Sequence, residues 1–177
     1  MSSIEKCGKV KNETLKEYSV FIARGGSALI FFLLLYYILA YPLGLLSTMC
    51  DSTATMSGAA LKILGMDYAV SGSYISIFTE QNGVMEYVVA SVCLGDPFIL
   101  TYCALLFAIP NVEMRMRLSG LLPGVGLIFV LNSFRVASSI YFDLQGISAF
   151  HDFFYIVSPF MVLIPWIIWL LVVKRRS

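Results

Sequence analysis

Charge is what this sequence has least of. Of its 177 residues only 13% are charged, while 59% are hydrophobic. A soluble domain runs near 25% and about 45–50%. So little charge cannot cover a water-facing surface, and the mean hydropathy of +0.84 agrees. This excludes a disordered chain, a basic nucleic-acid-binding domain and an ordinary soluble enzyme. Histidine is nearly absent: His151 is the single one. The four cysteines, Cys7, Cys50, Cys93 and Cys103, fall in no Cys-x-x-Cys pattern. No zinc site built by sequence pattern is therefore expected. The net charge of +1 points to no acidic partner. Repeats and low-complexity tracts are also missing. The expectation is one integral membrane domain over residues 1–177.

What the chain does have is long apolar runs. A spanning helix needs about 20 mainly apolar residues. Four segments qualify: 25–50, 92–112 (interrupted by Asp96), 118–142 (interrupted by Arg135) and 153–173. Residues 1–24 are too polar and too many to head a cleavable signal peptide, so they read as a cytoplasmic leader. Basic residues set the orientation. Lys6, Lys9, Lys11, Lys16 and Arg24 precede the first run; Arg115 and Arg117 lie between the second and third; Lys174, Arg175 and Arg176 follow the fourth. Both termini are thus expected in the cytoplasm. Residues 51–91 and 143–152 fall outside, where the acids Asp51, Asp67, Glu80, Glu86, Asp143 and Asp152 collect.

The outer segment 51–91 is too long for a plain connector. Ser52 reads as the cap of a short helix with Met56, Ala59, Ala60, Ile63 and Leu64 on one face, lying on the membrane surface. Ser73–Glu80 and Val84–Val92 are rich in β-branched and aromatic residues around the turn signal Gln81-Asn82-Gly83, which predicts a β-hairpin. The expected fold class is an all-α membrane protein of four transmembrane helices, with this small helix and hairpin between the first and second.

Polar residues inside apolar runs are the functional candidates. Arg135 lies seven residues before Phe142, roughly 10 Å below the outer boundary. Asn132 and Ser139 share its helix face at i−3 and i+4. Cys93 stands where the hairpin enters the second run. Asp96-Pro97 reads as an N-cap followed by proline, which would put Cys93 beside a helix N-terminus that favours a thiolate. Gly95 is expected to leave open space beside it. His151, followed by Asp152, sits in the short outer loop before the last run. Cys93, Arg135 and His151 come from three different spans, and the basic-residue count puts all three at one membrane face.

Other features carry less. Cys103, deeper in its run, reads as packing and Cys7 as a reduced cytoplasmic thiol. A Cys50–Cys93 disulfide competes with a nucleophilic Cys93. Gly120 and Gly124 form a GxxxG, a hint of close helix packing. Trp166 and Trp169 read as interface or packing residues. Two rival functions stand beside catalysis: a scaffold or assembly protein with Arg135 and Asp96 as a structural pair, and a small-solute transporter using Arg135 as an anion site. The near absence of polar residues from the first and fourth runs argues against the transporter.

Cys93-Leu94-Gly95 at the outer start of a span, Asn132-Ser133-Phe134-Arg135 in the next, and His151 before the last together resemble the exosortases and archaeosortases. The resemblance covers roughly residues 55–165. Val92-Cys93-Leu94-Gly95 is more similar to small bacterial branches than to the Ala-Cys-Ser-Gly form. The resemblance implies a membrane cysteine transpeptidase at the outer face of the cytoplasmic membrane. Cys93 would be the nucleophile, His151 the acid–base, and Arg135 the stabiliser of thiolate and oxyanion. Asn132 would support Arg135, and Asp152 would support His151. The implied partners are the lipid bilayer, exported proteins ending in a motif, a transmembrane helix and a basic tail, and an envelope acceptor. No cofactor is implied.

Overall fold

The computed structural model of the chain describes residues 3–40, 42–79, 83–147 and 149–176. The order of elements is α1 (Ser3–Ala40), α2 (Leu45–Ile63), β1 (Asp67–Ser71), β2 (Tyr74–Thr79), β3 (Gly83–Val88), α3 (Asp96–Ala108), α4 (Met114–Leu144), α5 (Ala149–Val157) and α6 (Phe160–Arg176). Tyr18–Ala40 of α1 and all of α4 are long and apolar enough to cross a membrane.

The first apolar run is not one helix. It stops at Ala40, and α2 starts after Gly44, whose φ of 62° is a left-handed turn. Pro42 explains the stop, because its ring removes an amide donor and clashes with the preceding turn. Ser52, expected as a cap, is inside α2 and donates to Thr48 O at 2.8 Å. The face expected to be apolar is also not the packed one. Thr53, Ala54, Ser57, Gly58, Ala60 and Leu61 are buried, while Met56 is 39% and Ile63 76% exposed. Small residues won this contact because they let α2 approach its neighbours closely. Ser57 Oγ donates to Ser133 O of α4 at 3.1 Å, and a Cβ on Gly58 would lie 2.4 Å from the Tyr68 ring.

The strands form one antiparallel sheet in the order β1-β2-β3. Its second hairpin pairs Tyr74 with Val88 and Phe78 with Val84. β1 was not anticipated, because Asp67-Tyr68-Ala69-Val70-Ser71 alternates too little in polarity to stand out. The expected turn residues Glu80, Gln81 and Asn82 lie outside the described residues.

The second and fourth apolar runs also differ from expectation. α3 is shorter than 92–112, because Gly95 turns the chain at its start and Pro110 forces Ile109 into an extended conformation at its end. The run 153–173 is two helices, α5 and α6, parted at Ser158-Pro159.

Two apolar clusters lie along α4. Its C-terminal half supplies Val136, Ala137 and Ile140 to a cluster with α2 and the sheet, built on Leu61, Ile75, Ile77 and Val89. Its N-terminal half supplies Ile128 to a cluster with Tyr102 and Leu106 of α3 and Val162 and Trp169 of α6. In this second cluster the GxxxG glycines make room for rings. A Cβ on Gly120 would meet Trp169 at 2.2 Å, and one on Gly124 would meet Tyr102 at 2.1 Å. Trp169 Nε1 donates to Met116 O at 2.9 Å, and Tyr102 Oη donates to Gly120 O at 2.8 Å. Both rings thus bury their polar atoms against carbonyls.

Arg117 is also structural. It is 8% exposed and donates from Nη1 to Leu106 O at 3.0 Å, from Nη2 to Ile109 O at 2.6 Å and from Nε to Val112 O at 3.1 Å. The last carbonyls of α3 have no partner within the helix, and a cation there also faces the negative end of its dipole.

Candidate active site

The two clusters meet at the level of Asn132 and Arg135, and Cys93 sits at that seam. β3 leads through Val89 and Ala90 into a 3-10 turn at Ser91–Cys93, closed by the Cys93 amide donating to Ala90 O at 2.9 Å. The chain then reverses at Gly95, whose φ is 71°. Gly95, not Asp96, is the N-cap of α3. Its carbonyl accepts from the amides of Phe98 and Ile99 at 3.0 and 3.2 Å. Asp96 is the first helical residue, with Pro97 next to it, where its missing amide proton matters least. Gly95 does not leave open space. A Cβ there would lie 2.8 Å from Asn132 Cγ, so this glycine lets the turn lie against α4.

The Cys93 carbonyl is gripped from α4. Asn132 Nδ2 donates to it at 2.7 Å and Arg135 Nη2 at 3.4 Å. The i, i+3 spacing makes this possible, since both side chains leave the same face of the helix. Asn132 is 1% exposed, and its Oδ1 is buried with no hydrogen-bond partner among the described residues. Arg135 Nη1 reaches Ser158 Oγ at 3.5 Å. The Ser158 hydroxyl in turn donates to Phe154 O. Arg135 therefore joins the cysteine turn to the break between α5 and α6.

Cys93 is half-buried and its thiol is free, as are those of Cys50 and Cys103. Cys50 and Asp96 lie within electrostatic range of one another, and Cys93 is near Cys50 as well. The Asp96 carboxylate lies close to the Tyr36 side chain of α1. Cys103 is buried, in line with a packing role. Among the described residues no three His, Cys, Asp or Glu side chains converge as a metal site would require. His151 and Asp152 fall in the first turn of α5, and their side chains lie outside the described residues.

Above the seam, Tyr87 Oη of β3 donates to Asp143 Oδ2 at the end of α4, 2.9 Å away. Burial, then this bond and the charge of Asp143, push the Tyr87 phenol up to about 12.

Sequence reasoning missed Ser158 and Tyr36. Ser158 had a signal: a Ser-Pro step inside an apolar run marks a helix boundary. Tyr36 had none, since its approach to Asp96 depends on α1 lying beside the start of α3.

No curated protein and no solved structure matches the chain. The sequence model of the transmembrane exosortases matches residues 18–172. The chain is a membrane protein and belongs to the transmembrane exosortase family.

Proposed function

We propose that the protein is a membrane-embedded cysteine transpeptidase that cuts the C-terminal sorting signal of exported proteins and passes them to an envelope acceptor. The observation that carries this reading is the double grip of Asn132 and Arg135 on the Cys93 carbonyl. It holds a guanidinium within one residue of a free thiol, at the joint between two packed clusters.

In this reading the Cys93 thiol gives its proton to His151 and the thiolate attacks the scissile carbonyl. The tetrahedral oxyanion forms beside Arg135, whose charge persists at any working pH. Collapse breaks the C–N bond; the leaving amine takes the proton back from His151 and a thioester remains on Cys93. An acceptor nucleophile, an amine in the transpeptidase reading, then attacks the thioester. The new amide forms as the Cys93 sulfur leaves, and the proton returns through His151. Asn132 holds the cysteine turn, and Asp152 orients His151.

The proposed membrane placement has four crossings, with α3 and α6 joining α1 and α4, both termini in the cytoplasm and Cys93 at the outer face. In this placement Arg117 marks the inner boundary and Arg135 the outer one, roughly 10 Å below the Phe142 level expected from the sequence. Arg117 and Arg135 stand 18 residues apart on α4, roughly 27 Å at the helical rise. That is close to the hydrocarbon thickness of about 30 Å. Residues 136–144 of α4, α2 and the sheet then form a cap above the outer boundary.

The test uses an exported reporter ending in a short motif, an apolar helix and a basic tail, chosen because membranes holding the wild-type protein process it. Cys93→Ala should stop processing at unchanged protein level. Processing at the wild-type rate would refute the nucleophile assignment.

A further inference from the structure

Among the described residues the sheet has two end strands, β1 and β3, and β3 is the one that leads straight to Cys93. Among the described residues β2 is the only strand neighbour of β3. The register fixes which of its backbone groups are committed. The Val89 amide donates to Ser73 O at 2.8 Å, and Val88 opposes Tyr74 in the ladder. In an antiparallel pair, bonded and non-bonded positions alternate. Val89, Tyr87 and Met85 therefore point their amides and carbonyls at β2. Val84, Glu86 and Val88 point theirs away from the sheet.

Exposed edges are normally blunted by lysine, proline or a bulge, because they recruit other strands. β3 reads Gly-Val-Met-Glu-Tyr-Val and pairs in register throughout, with Glu86 its one charge. Two of the three side chains on its exposed face are apolar, with Glu86 between them. Val84 is 58% exposed and Val88 56%, and Val92, next to the cysteine, is 83% exposed. The inward side chains Met85 and Tyr87 anchor the strand, Tyr87 through Asp143. The strand is thus fixed behind and open in front.

We propose that the free edge of β3 is the docking site for the extended segment of the substrate just before its scissile bond, which adds to the sheet as a fourth strand. The proposal rests on the reading of Cys93 as the nucleophile and names how that site receives its peptide. Main-chain hydrogen bonds to Val84, Glu86 and Val88 supply binding that tolerates many sequences, and alternate side chains rest on the valines. Direction follows from topology. β3 runs toward Cys93 and the membrane, and a substrate anchored by its own C-terminal helix runs the same way, so the added strand is parallel. The last bonded residue delivers the following peptide bond to the 3-10 turn that carries the thiol.

The experiment uses the full-length protein in membranes with the reporter described above. Glu86→Pro and Val88→Pro each remove an outward amide and leave the ladder to β2 intact, as proline at a strand edge allows. Each should lower reporter processing at limiting reporter by roughly tenfold. The rate at which a small maleimide labels Cys93 should stay unchanged. Glu86→Ala keeps the amide and should fall far less than Glu86→Pro. A second measurement covers the case in which a proline variant also loses labelling. Glu86→Cys on a Cys93→Ala background is oxidised with reporters carrying single cysteines at successive positions before the scissile bond. Cross-links above the background lacking Glu86→Cys should alternate with a period of two. Proline variants that process at the wild-type rate, or cross-links without alternation, would overturn the proposal. The proposed nucleophile fails separately, by cleavage in Cys93→Ala.

Discussion

α4 carries two arginines on the same face, and they end in opposite situations. Arg117 is buried, with three of its nitrogens on carbonyls at 2.6–3.1 Å. Arg135 is half-buried, and its contacts with the Cys93 carbonyl and Ser158 are long, at 3.4 and 3.5 Å. Each lies against one end of α3: Arg117 at its C-terminal carbonyls, Arg135 at the turn before its first residue. The tight end fixes where α3 sits. The other end sets a guanidinium against the turn that carries Cys93, where the proposed function puts the oxyanion. In the proposed function one residue type on one helix thus serves anchoring at Arg117 and chemistry at Arg135.

The sharpest break in this comparison comes from exchanging the two losses. Arg135→Gln should lower processing by about 100-fold or more while protein level holds, the size expected for removing a transition-state donor. Arg117→Gln should do the reverse: it strips the cap from α3 and should lower stability by about 3 kcal/mol or more, read as lost protein and a lower unfolding midpoint. Equal effects on level and on turnover at both positions would erase the distinction.

Glycine substitutions probe the same contrast at intermediate size. Gly95→Ala puts a Cβ 2.8 Å from Asn132 Cγ at a φ of 71°. It should disturb the cysteine turn and slow Cys93 labelling and processing by roughly tenfold, with about 1–3 kcal/mol lost. Gly124→Ala drives a Cβ into the Tyr102 ring. It should cost a similar stability and leave the labelling rate of the surviving folded protein unchanged.

How much of this could be read in advance depends on whether a contact is local. Asn132 and Arg135 share a face by helical register, so their joint approach to one target was readable. Cys93 just before the head of its helix was readable from Asp96-Pro97, although the cap is Gly95. Arg117 was read as a loop charge that orients the chain. Its other role appears only when α4 returns beside the end of α3, because carbonyls at Leu106 and Ile109 leave no mark in the side-chain pattern. The surface helix was misjudged for a related reason. Amphipathic counting favours large apolar residues, whereas the face that packs, Thr53, Ser57 and Gly58, is made of small ones. The role of His151 stays a proposal from the resemblance.

The smallest effect concerns the cap above the seam. Tyr87→Phe removes the bond to Asp143 and should cost about 1 kcal/mol. It should also remove a pH dependence. The Tyr87 phenol rises from 10.0 to about 12 in the folded protein. Its contribution is therefore full below pH 10 and is lost as pH climbs toward the folded value. Alkaline unfolding followed in both proteins should converge at high pH. A constant gap between them would assign the bond no role.

The central claim is that the Cys93 thiol forms the acyl-enzyme beside Arg135, and trapping that intermediate tests it most directly. Membranes with the reporter, quenched in acid and analysed by mass spectrometry, should show the reporter's upstream fragment on Cys93 as a hydroxylamine-sensitive thioester. The adduct should be missing in Cys93→Ala and strongly reduced in Arg135→Gln. Reporter cleaved by Cys93→Ala at the wild-type rate, with no adduct on the wild-type protein, would contradict the account.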